Sequence, residues 1–475
     1  MGERTIYRTY DLTGGINSQA KPWLIKDSES QDLRNFDLES TGKDGSLIQR
    51  EGFTKYNSTI IASSTGVHSV YRYTRKTGTT NFLCSSATRI FKGNTAGTAF
   101  DATPIVGGLT TNKKIKYITF NNNLYYCNEA DTYRKWDGVT ASAVGGSSPD
   151  GAYYHALYWN RAWLARTATY PSRLYYSRLK NAEDWTANTS DTSLSGGYVD
   201  INPDDGDYIT GIVAQQSRLI IFKRFAVYAL YGYKPDNFQW QLLYDNTGCI
   251  APYSIAVDED TIFYLSNQGL RLLRGDTPPI DASLKIQSYV DAISDKTTCV
   301  GGVNGKGQYW LTIASNRVLL LNYRRGSWVD YRGITANVFY YDETNDDFYC
   351  GSPTAGYVFK LDTGTTDNGA TIQTLYKSKA WGNPLERTKR FDKVYSQSAR
   401  GTGMDYNIAT AVNQVSASSK TVSASKTGAN VIIDKYNFQQ GIMANMIELT
   451  YSANSCGTRF NLDGYSVYSE VLKDD

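Results

Sequence analysis

An all-β chain built around a β-propeller of about seven blades is predicted by three observations. First, a β-type run ending in an aromatic or apolar residue and a Gly- or Asp-bearing turn recurs along the chain. Its clearest copies are Arg89-Ile90-Phe91-Lys92-Gly93, Arg134-Lys135-Trp136-Asp137-Gly138, Arg173-Leu174-Tyr175-Tyr176-Ser177, Val227 to Gly232, Arg271-Leu272-Leu273-Arg274-Gly275, Leu321 to Gly326 and Tyr357 to Leu361. The copies stand roughly 35 to 53 residues apart, which brackets the ~40–50 residues of a four-stranded blade. Second, 38 Tyr and 41 Gly suit half-buried strands and tight turns. Third, long Leu/Ala/Glu/Lys stretches at helical period are nearly absent.

Residues 1–60 read as an N-terminal extended and hairpin segment. Gly14-Gly15-Ile16-Asn17 is a turn and Pro22-Trp23-Leu24-Ile25 a short extended piece, while Lys26 to Asp37 is the most helix-tolerant stretch, with Asp27 and Ser28 as caps. Leu33 to Leu38 and Ser46 to Arg50, around the turn Gly42 to Gly45, predict a hairpin. Residues 61–365 carry the propeller. There, Lys116 to Phe120 and Leu124 to Cys127 flank an Asn turn, and asparagine tolerates the left-handed backbone that such turns need. The next unit repeats this, with Ala156 to Trp159 and Ala162 to Ala165 about Asn160-Arg161. Continuous apolar runs such as Leu219-Ile220-Ile221-Phe222 and Thr261 to Leu265 fit strands covered on both faces. Gly301 to Trp328 and Val338 to Phe359 supply the last two blades. Residues 366–475 predict a C-terminal β-sandwich, its strands at Thr371–Tyr376, Arg390–Tyr395, Asn430–Lys435, Met446–Tyr451 and Tyr465–Val471. Ser416 to Asn430 has almost no large apolar residue and reads as a loop or an arm ordered by a partner.

Composition bounds the function. A chain of 475 residues exceeds one compact core. Its 49 Lys+Arg stand against 46 Asp+Glu, too even for a protein that neutralises many phosphates, so contact with DNA is expected to be loose or local. The six cysteines (Cys84, Cys127, Cys249, Cys299, Cys350, Cys456) lack zinc spacing and read as small buried hydrophobes in a reducing compartment. No signal peptide opens the chain and no run approaches a membrane span, so a soluble protein folded where it is made is expected.

Chemistry-bearing motifs are sparse. His68 and His155 accompany no nucleophile motif and read as packed or surface residues. Asp204-Asp205-Gly206-Asp207 and Asp342 to Asp347 lack the distal glutamate of a Ca²⁺ loop and read as solvated turns. Asn181 to Trp185 lacks the Ser-x-Asp-x-Gly frame of sialidase propellers. No catalytic, cofactor or metal residue is therefore expected. Basic clusters occur at Arg72 to Lys76, at Lys113, Lys114 and Lys116, at Arg324 and Arg325, and at Arg387, Lys389 and Arg390. They read either as solvated faces and ion pairs or as candidate channel or interface residues.

Several segments together resemble a family. Gly14-Gly15-Ile16-Asn17, Leu33-Arg34-Asn35-Phe36-Asp37-Leu38 and Gly45 to Gly52 are similar to the opening of phage tail proteins. Arg173 to Ser177, Glu183-Asp184-Trp185, Asp205 to Gly211, Leu219 to Lys223, Val227 to Gly232 and Gly248 to Ile255 resemble the propeller portion of that group. The family is that of tail nozzle or tail hub proteins of short-tailed phages, related to packaged-DNA stabilisation proteins. The resemblance implies a structural virion protein, made in the host cytoplasm and placed in the tail, with no enzymatic activity. It further implies a homohexameric ring below the portal and adaptor that retains DNA and later lets it leave. Partners would be other copies of the chain, portal–adaptor proteins, tail fibres or spikes, and double-stranded DNA in non-specific contact; no membrane insertion by this chain is implied. Two other classes stay open: a carbohydrate-binding, receptor-recognising propeller and a glycoside-cleaving one.

Overall fold

The computed structural model describes residues 4–38, 45–61, 65–94, 96–215, 217–383, 385, 387–400, 405–422, 428–455 and 459–471. It is an all-β protein; among the described residues the single α-helix is Gln287–Asp291. Consecutive antiparallel sheets are arranged as a propeller. The first contains Val67–Thr74, Thr80–Ser86 and Arg89–Lys92. Next come Lys116–Phe120 through Ala141–Ala143, Tyr154–Tyr158 through Gly197–Asp200, Ile209–Gln215 through Gln239–Tyr244, and Ala256–Asp258 through Ile280–Asp281, each four-stranded in sequence order. Gly301–Asn304 through Ser327–Arg332 follow in the same order, and then Val338–Asp342, Asp347–Gly351 and Val358–Leu361.

First strands of neighbouring sheets pack on one another from Val67–Thr74 to Ile209–Gln215 and from Ala256–Asp258 to Val338–Asp342. The fourth and fifth sheets meet through Phe222 and Tyr264, 4.8 Å apart, and Val67–Thr74 meets Val338–Asp342, which closes the circle. At that junction Tyr71 and Tyr340 lie 6.1 Å apart, the Tyr340 hydroxyl accepts from the Arg72 backbone N–H at 3.0 Å, and the Arg72 guanidinium pairs with buried Asp342 at 2.5 Å. A second latch comes from the N-terminus, since Phe53–Lys55 pairs with Val358–Leu361 as the outer strand of the last sheet. Just before it, Gly52 passes so close to Thr366 that a Cβ there would lie 1.9 Å from that residue's carbonyl oxygen. Gly52→Ala is expected to lower stability by about 1–3 kcal/mol through this overlap, read as a drop in the urea midpoint.

The first 60 residues, apart from the short parallel pair Gly15–Ile16 and Glu29–Ser30, are shared among other sheets. Asp32–Arg34 joins Ser327–Arg332 in parallel and Ile372–Lys377 in antiparallel pairing, so it splices the propeller to the C-terminal strands. Arg4–Thr9 and Leu47–Gln49 both pair with Asn461–Val471. The expected hairpin is present as Phe36–Asp37 against Leu47–Gln49; of its turn, Gly45 is described and residues 42–44 lie outside the described residues. The helix-tolerant stretch Lys26 to Asp37 is instead a turn followed by three short strands, Glu29–Ser30, Asp32–Arg34 and Phe36–Asp37, because neighbouring strands recruit them and a weak propensity yields to tertiary pairing. Pro22 to Ile25 is turn rather than extended, with the Leu24 N–H donating to the Lys21 carbonyl at 2.8 Å.

Two C-terminal sheets share one core. Lys389–Arg400, Gly428–Ala444 and Asn461–Val471 belong to one; Ile372–Lys377, Met446–Ser455, Tyr406–Val412 and Val415–Val422 belong to the other. Tyr376, Tyr451 and Tyr465 bridge them with ring centroids 5.6 to 6.2 Å apart. The stretch Ser416 to Asn430, expected as a loop or arm, is strand up to Val422 and again from Gly428, while residues 423–427 lie outside the described residues. Its poor β-propensity is overridden by pairing along Tyr406–Val412.

Turns follow the expected chemistry with one shift. Asn121 and Asn122 (φ 48° and 64°) turn the hairpin between Lys116–Phe120 and Asn123–Cys127. In the next sheet the turn is Trp159-Asn160 (φ 47° and 53°) rather than Asn160-Arg161. Arg161 starts the following strand fully buried, with its guanidinium donating to the Ser177 and Ser195 carbonyls at 2.6 Å and to that of Ser193 at 2.5 Å.

Candidate functional site

The first strands of the sheets surround the propeller axis and enter it from one rim, since successive sheets repeat the same strand order. At that rim lies a cavity of about 230 Å³ lined by residues at or just before these strands, among them His68, Lys114, Lys116, Tyr253 and Asn337. Tyr253 stands in the one-turn helix Pro252–Ser254, whose Ser254 hydroxyl donates to the Ala251 carbonyl at 2.7 Å and caps the chain reversal. The Lys114 and Lys116 ammonium nitrogens lie 4.2 and 4.9 Å from the Tyr253 ring centroid. Each such contact is worth roughly 0.5–2 kcal/mol, more as the pair is desolvated.

Hydrogen bonds lock the arrangement. Lys114 Nζ donates to the Asn337 carbonyl at 2.6 Å. The Tyr253 hydroxyl donates to Glu129, whose other carboxylate oxygen takes Lys113 Nζ at 3.3 Å. Asn337 Nδ2 donates to the Val67 carbonyl at 2.8 Å and lies 3.2 Å from His68 Nδ1. That amide donor assigns the acceptor role to Nδ1 and the proton to Nε2. Burial pushes the Lys114 ammonium down to about 7, with Lys116 lowering it further and Glu129 opposing. Lys116 is lowered too, chiefly by burial, and His68 is lowered by burial and by Lys114.

The expected basic residues fall into three places. Lys114 and Lys116 line the axial cavity of the propeller itself, with Lys113 beside them on Glu129. Arg324 and Arg325 are exposed on the turn between Arg317–Asn322 and Ser327–Arg332. As a turn between third and fourth strands, it lies on the opposite rim. Arg325 reaches Thr13 Oγ1 at 3.4 Å, and Arg324 lies over Gly307. The third group is in the C-terminal sheets. Buried Lys389 donates to the Tyr7 hydroxyl at 2.6 Å, and Arg390 spans Asp392 and Glu470 at 2.9 and 2.7 Å, while Arg387 is exposed. His68 was read in the sequence only as a packed or surface residue, and Tyr253, Glu129 and Asn337 were not singled out. His68 and Asn337 stand at or just before the start of first strands, Tyr253 in the turn before one and Glu129 just past the end of a second strand, positions that share the rim only once the ring is closed.

Other motifs have structural duties. The acidic turns are ion-paired rather than merely solvated: Asp205 holds buried Lys223 at 2.7 Å, Asp207 holds Arg224 at 2.7 Å and Asp347 holds Lys360 at 2.5 Å. His155 is packed against Tyr133, whose hydroxyl lies 3.0 Å from Nε2, and burial pushes its pKa down to about 3. Cys84, Cys127, Cys249, Cys299 and Cys350 are buried thiols, and Cys456 lies outside the described residues. A larger cavity of about 570 Å³ beside the closure junction is lined by Arg72, Phe82, Lys92, Asp347, Tyr349 and Lys360 among others, but Phe82 and Tyr349 are buried and offer no open ring face.

No protein-family model matches the chain, and no curated protein does. Among solved structures the chain is similar to the extracellular domain of BT4673 from B. thetaiotaomicron, at 11% identity and TM-score 0.47 over 75% of this chain and 45% of that one. It is also similar to the WD40 domain of Neurospora crassa Pan2, at 6% identity and TM-score 0.41 over 66% and 97%, and to BamB from Moraxella catarrhalis, at 9% identity and TM-score 0.38 over 69% and 96%. The chain spans less than half of the BT4673 chain. Likeness at this level leaves the function open.

Proposed function

We propose that this chain is a structural virion protein, the protomer of a tail nozzle or hub ring in a short-tailed phage. A homohexamer below the portal–adaptor complex would hold packaged DNA and form the path of its ejection. The observation that carries this reading is the outer end of the C-terminal sheets. Val415–Val422 is the terminal strand of its sheet, and seven of its eight residues are exposed. Gly428–Ala444 ends the other sheet, and Val415, Ile433 and Met443 on these strands are 67%, 61% and 54% exposed. Exposed strand edges carrying apolar residues are a liability in a solitary chain and an asset in an assembly that pairs or covers them.

The family-like segments support the reading. Gly14 and Gly15 lie where a Cβ would come 2.7 Å from the Ser28 carbonyl and 2.6 Å from the Trp328 backbone nitrogen, and Leu33 to Leu38 splices the two halves. The resembling opening motifs therefore coincide with the places where the N-terminal segment packs on the propeller and joins it to the C-terminal strands. We count the closed ring as seven blades, from the sheets that begin at Val67, Lys116, Tyr154, Ile209, Ala256, Gly301 and Val338, and take the two C-terminal sheets as a β-sandwich.

Purified protein, alone or on a portal–adaptor complex, is expected to form closed rings in negative-stain images. Ala417 sits unpaired at a bulge in the edge strand, so Ala417→Pro should leave the fold intact while shifting rings to monomers in sedimentation. A wild-type monomer that ignores the portal–adaptor complex and binds glycans would overturn the proposal.

A further inference from the structure

We propose that the axial cavity of the propeller is an oxyanion site, in which Lys114, Lys116 and His68 hold a phosphate- or carboxylate-type ligand. Donors are in excess at this rim. Lys113, Lys114 and Lys116 meet at this rim, and Glu129 is the carboxylate among them. Glu129 is already engaged by Lys113 and the Tyr253 hydroxyl. Lys114 spends one donor on the Asn337 carbonyl, and Lys116 has the Tyr253 ring and no hydrogen-bond acceptor among the described residues. Two ammonium groups on one aromatic ring repel each other, and a negative charge between or beside them would offset that repulsion and hold both protonated.

His68 supplies an independent observation. It is 9% exposed, it lines the cavity, and its Nε2 is buried without a hydrogen-bond partner. The Asn337 amide, by occupying Nδ1, makes that orphan a donor. A buried unpaired donor costs about 1–3 kcal/mol, which a ligand oxygen would recover. Two ammonium groups and an imidazole N–H on residues lining one cavity form a donor set suited to an oxyanion and unsuited to a cation. The cavity's 230 Å³ admits a small anion and excludes a nucleic-acid duplex, so this site is separate from any DNA path between protomers and does not rest on the ring proposal.

The test is titration calorimetry on the intact chain at constant ionic strength, with inorganic phosphate and, in a second arm, acetate, against chloride alone. Saturable binding of one anion per chain is expected. Lys116→Met and Lys114→Met keep the apolar stems and should each weaken binding at least about tenfold, while Lys76→Met on an exposed turn should not change it. Phosphate binding without acetate binding assigns a tetrahedral anion; acetate displacing phosphate assigns a carboxylate of a partner chain as an equal occupant. If either lysine variant loses the wild-type far-ultraviolet spectrum, His68→Gln, which can still donate from its amide, replaces it and should retain partial binding. Heats no larger than the chloride control in both arms, or affinity unchanged in the lysine variants, would overturn the site.

Discussion

Removing residues 1–60 is expected to abolish folding of the remaining 415 residues rather than to release an intact propeller. The segment contributes Leu12, Ile16, Leu33, Phe36, Leu38 and Leu47 to the main core, all at 4% exposure or less. Burying such a side chain is worth ~1.5–3 kcal/mol, so these six alone supply on the order of 9–18 kcal/mol. That is comparable to the whole ~5–15 kcal/mol by which native proteins outlast their unfolded chains. The deletion also strips strand partners. Val358–Leu361 loses Phe53–Lys55, Ser327–Arg332 and Ile372–Lys377 lose the strand between them, and Asn461–Val471 loses Arg4–Thr9 and Leu47–Gln49. Bare edges of this kind seek other chains, so the truncated protein should be found in the insoluble fraction or in the void volume on gel filtration. A soluble 61–475 fragment with a cooperative melt would show that the opening segment is an appendage, and would weaken the idea of a single rigid wedge.

What the sequence disclosed follows from the range of the forces involved. Local turn chemistry was legible: two asparagines announced the hairpin at Phe120–Asn123, whereas the next turn falls one residue early because Tyr158 pairs with Arg161, which puts Trp159 in a left-handed position that its residue type does not announce. Strand runs that are buried on both faces, such as Leu219 to Phe222, were legible because both burial and propensity favour them. Long-range pairing was not. Asp32–Arg34 is a strand because edges some 300 residues downstream hold it (Asp330, Leu375), and Ser416 to Val422 is one because Tyr406–Val412 does. The axial cluster illustrates the same limit. The run Lys113 to Lys116 was visible as basic, but its meaning depends on Tyr253, Asn337 and His68, which only ring closure brings to one rim. Arg390 and Lys389 looked equivalent to it in sequence, and the fold spends them on cross-strand ties.

Arg50→Met is expected to be the most damaging single substitution outside the apolar core, at about 3–5 kcal/mol, because it breaks a buried pair and strands a carboxylate. Arg50 is 2% exposed, and all five of its donors are used. Nε donates to Asn35 Oδ1 at 2.9 Å, Nη1 to the Glu51 carbonyl at 2.9 Å and Asp367 Oδ1 at 2.8 Å, and Nη2 to the Arg332 carbonyl at 2.8 Å and Asp367 Oδ2 at 2.6 Å. Its face lies 5.4 Å from the Tyr331 ring centroid. One planar group thus fastens the opening segment (Asn35), the end of a propeller strand (Arg332) and the stretch leading into the C-terminal sheets (Asp367). Lysine cannot reproduce this fork, so Arg50→Lys should recover little of the loss. Asp367→Asn in the Arg50→Met background removes the stranded charge and should restore part of the urea midpoint, giving a coupling energy that marks the pair as direct. Limited proteolysis adds the mechanical reading. If Arg50 holds the two halves in one orientation, cleavage between Leu361 and Ile372 should accelerate in Arg50→Met under conditions where the propeller strands stay protected. Equal cleavage in the wild type and the variant would reduce Arg50 to a local stabiliser and leave the rigidity of the wedge to the strand pairing alone.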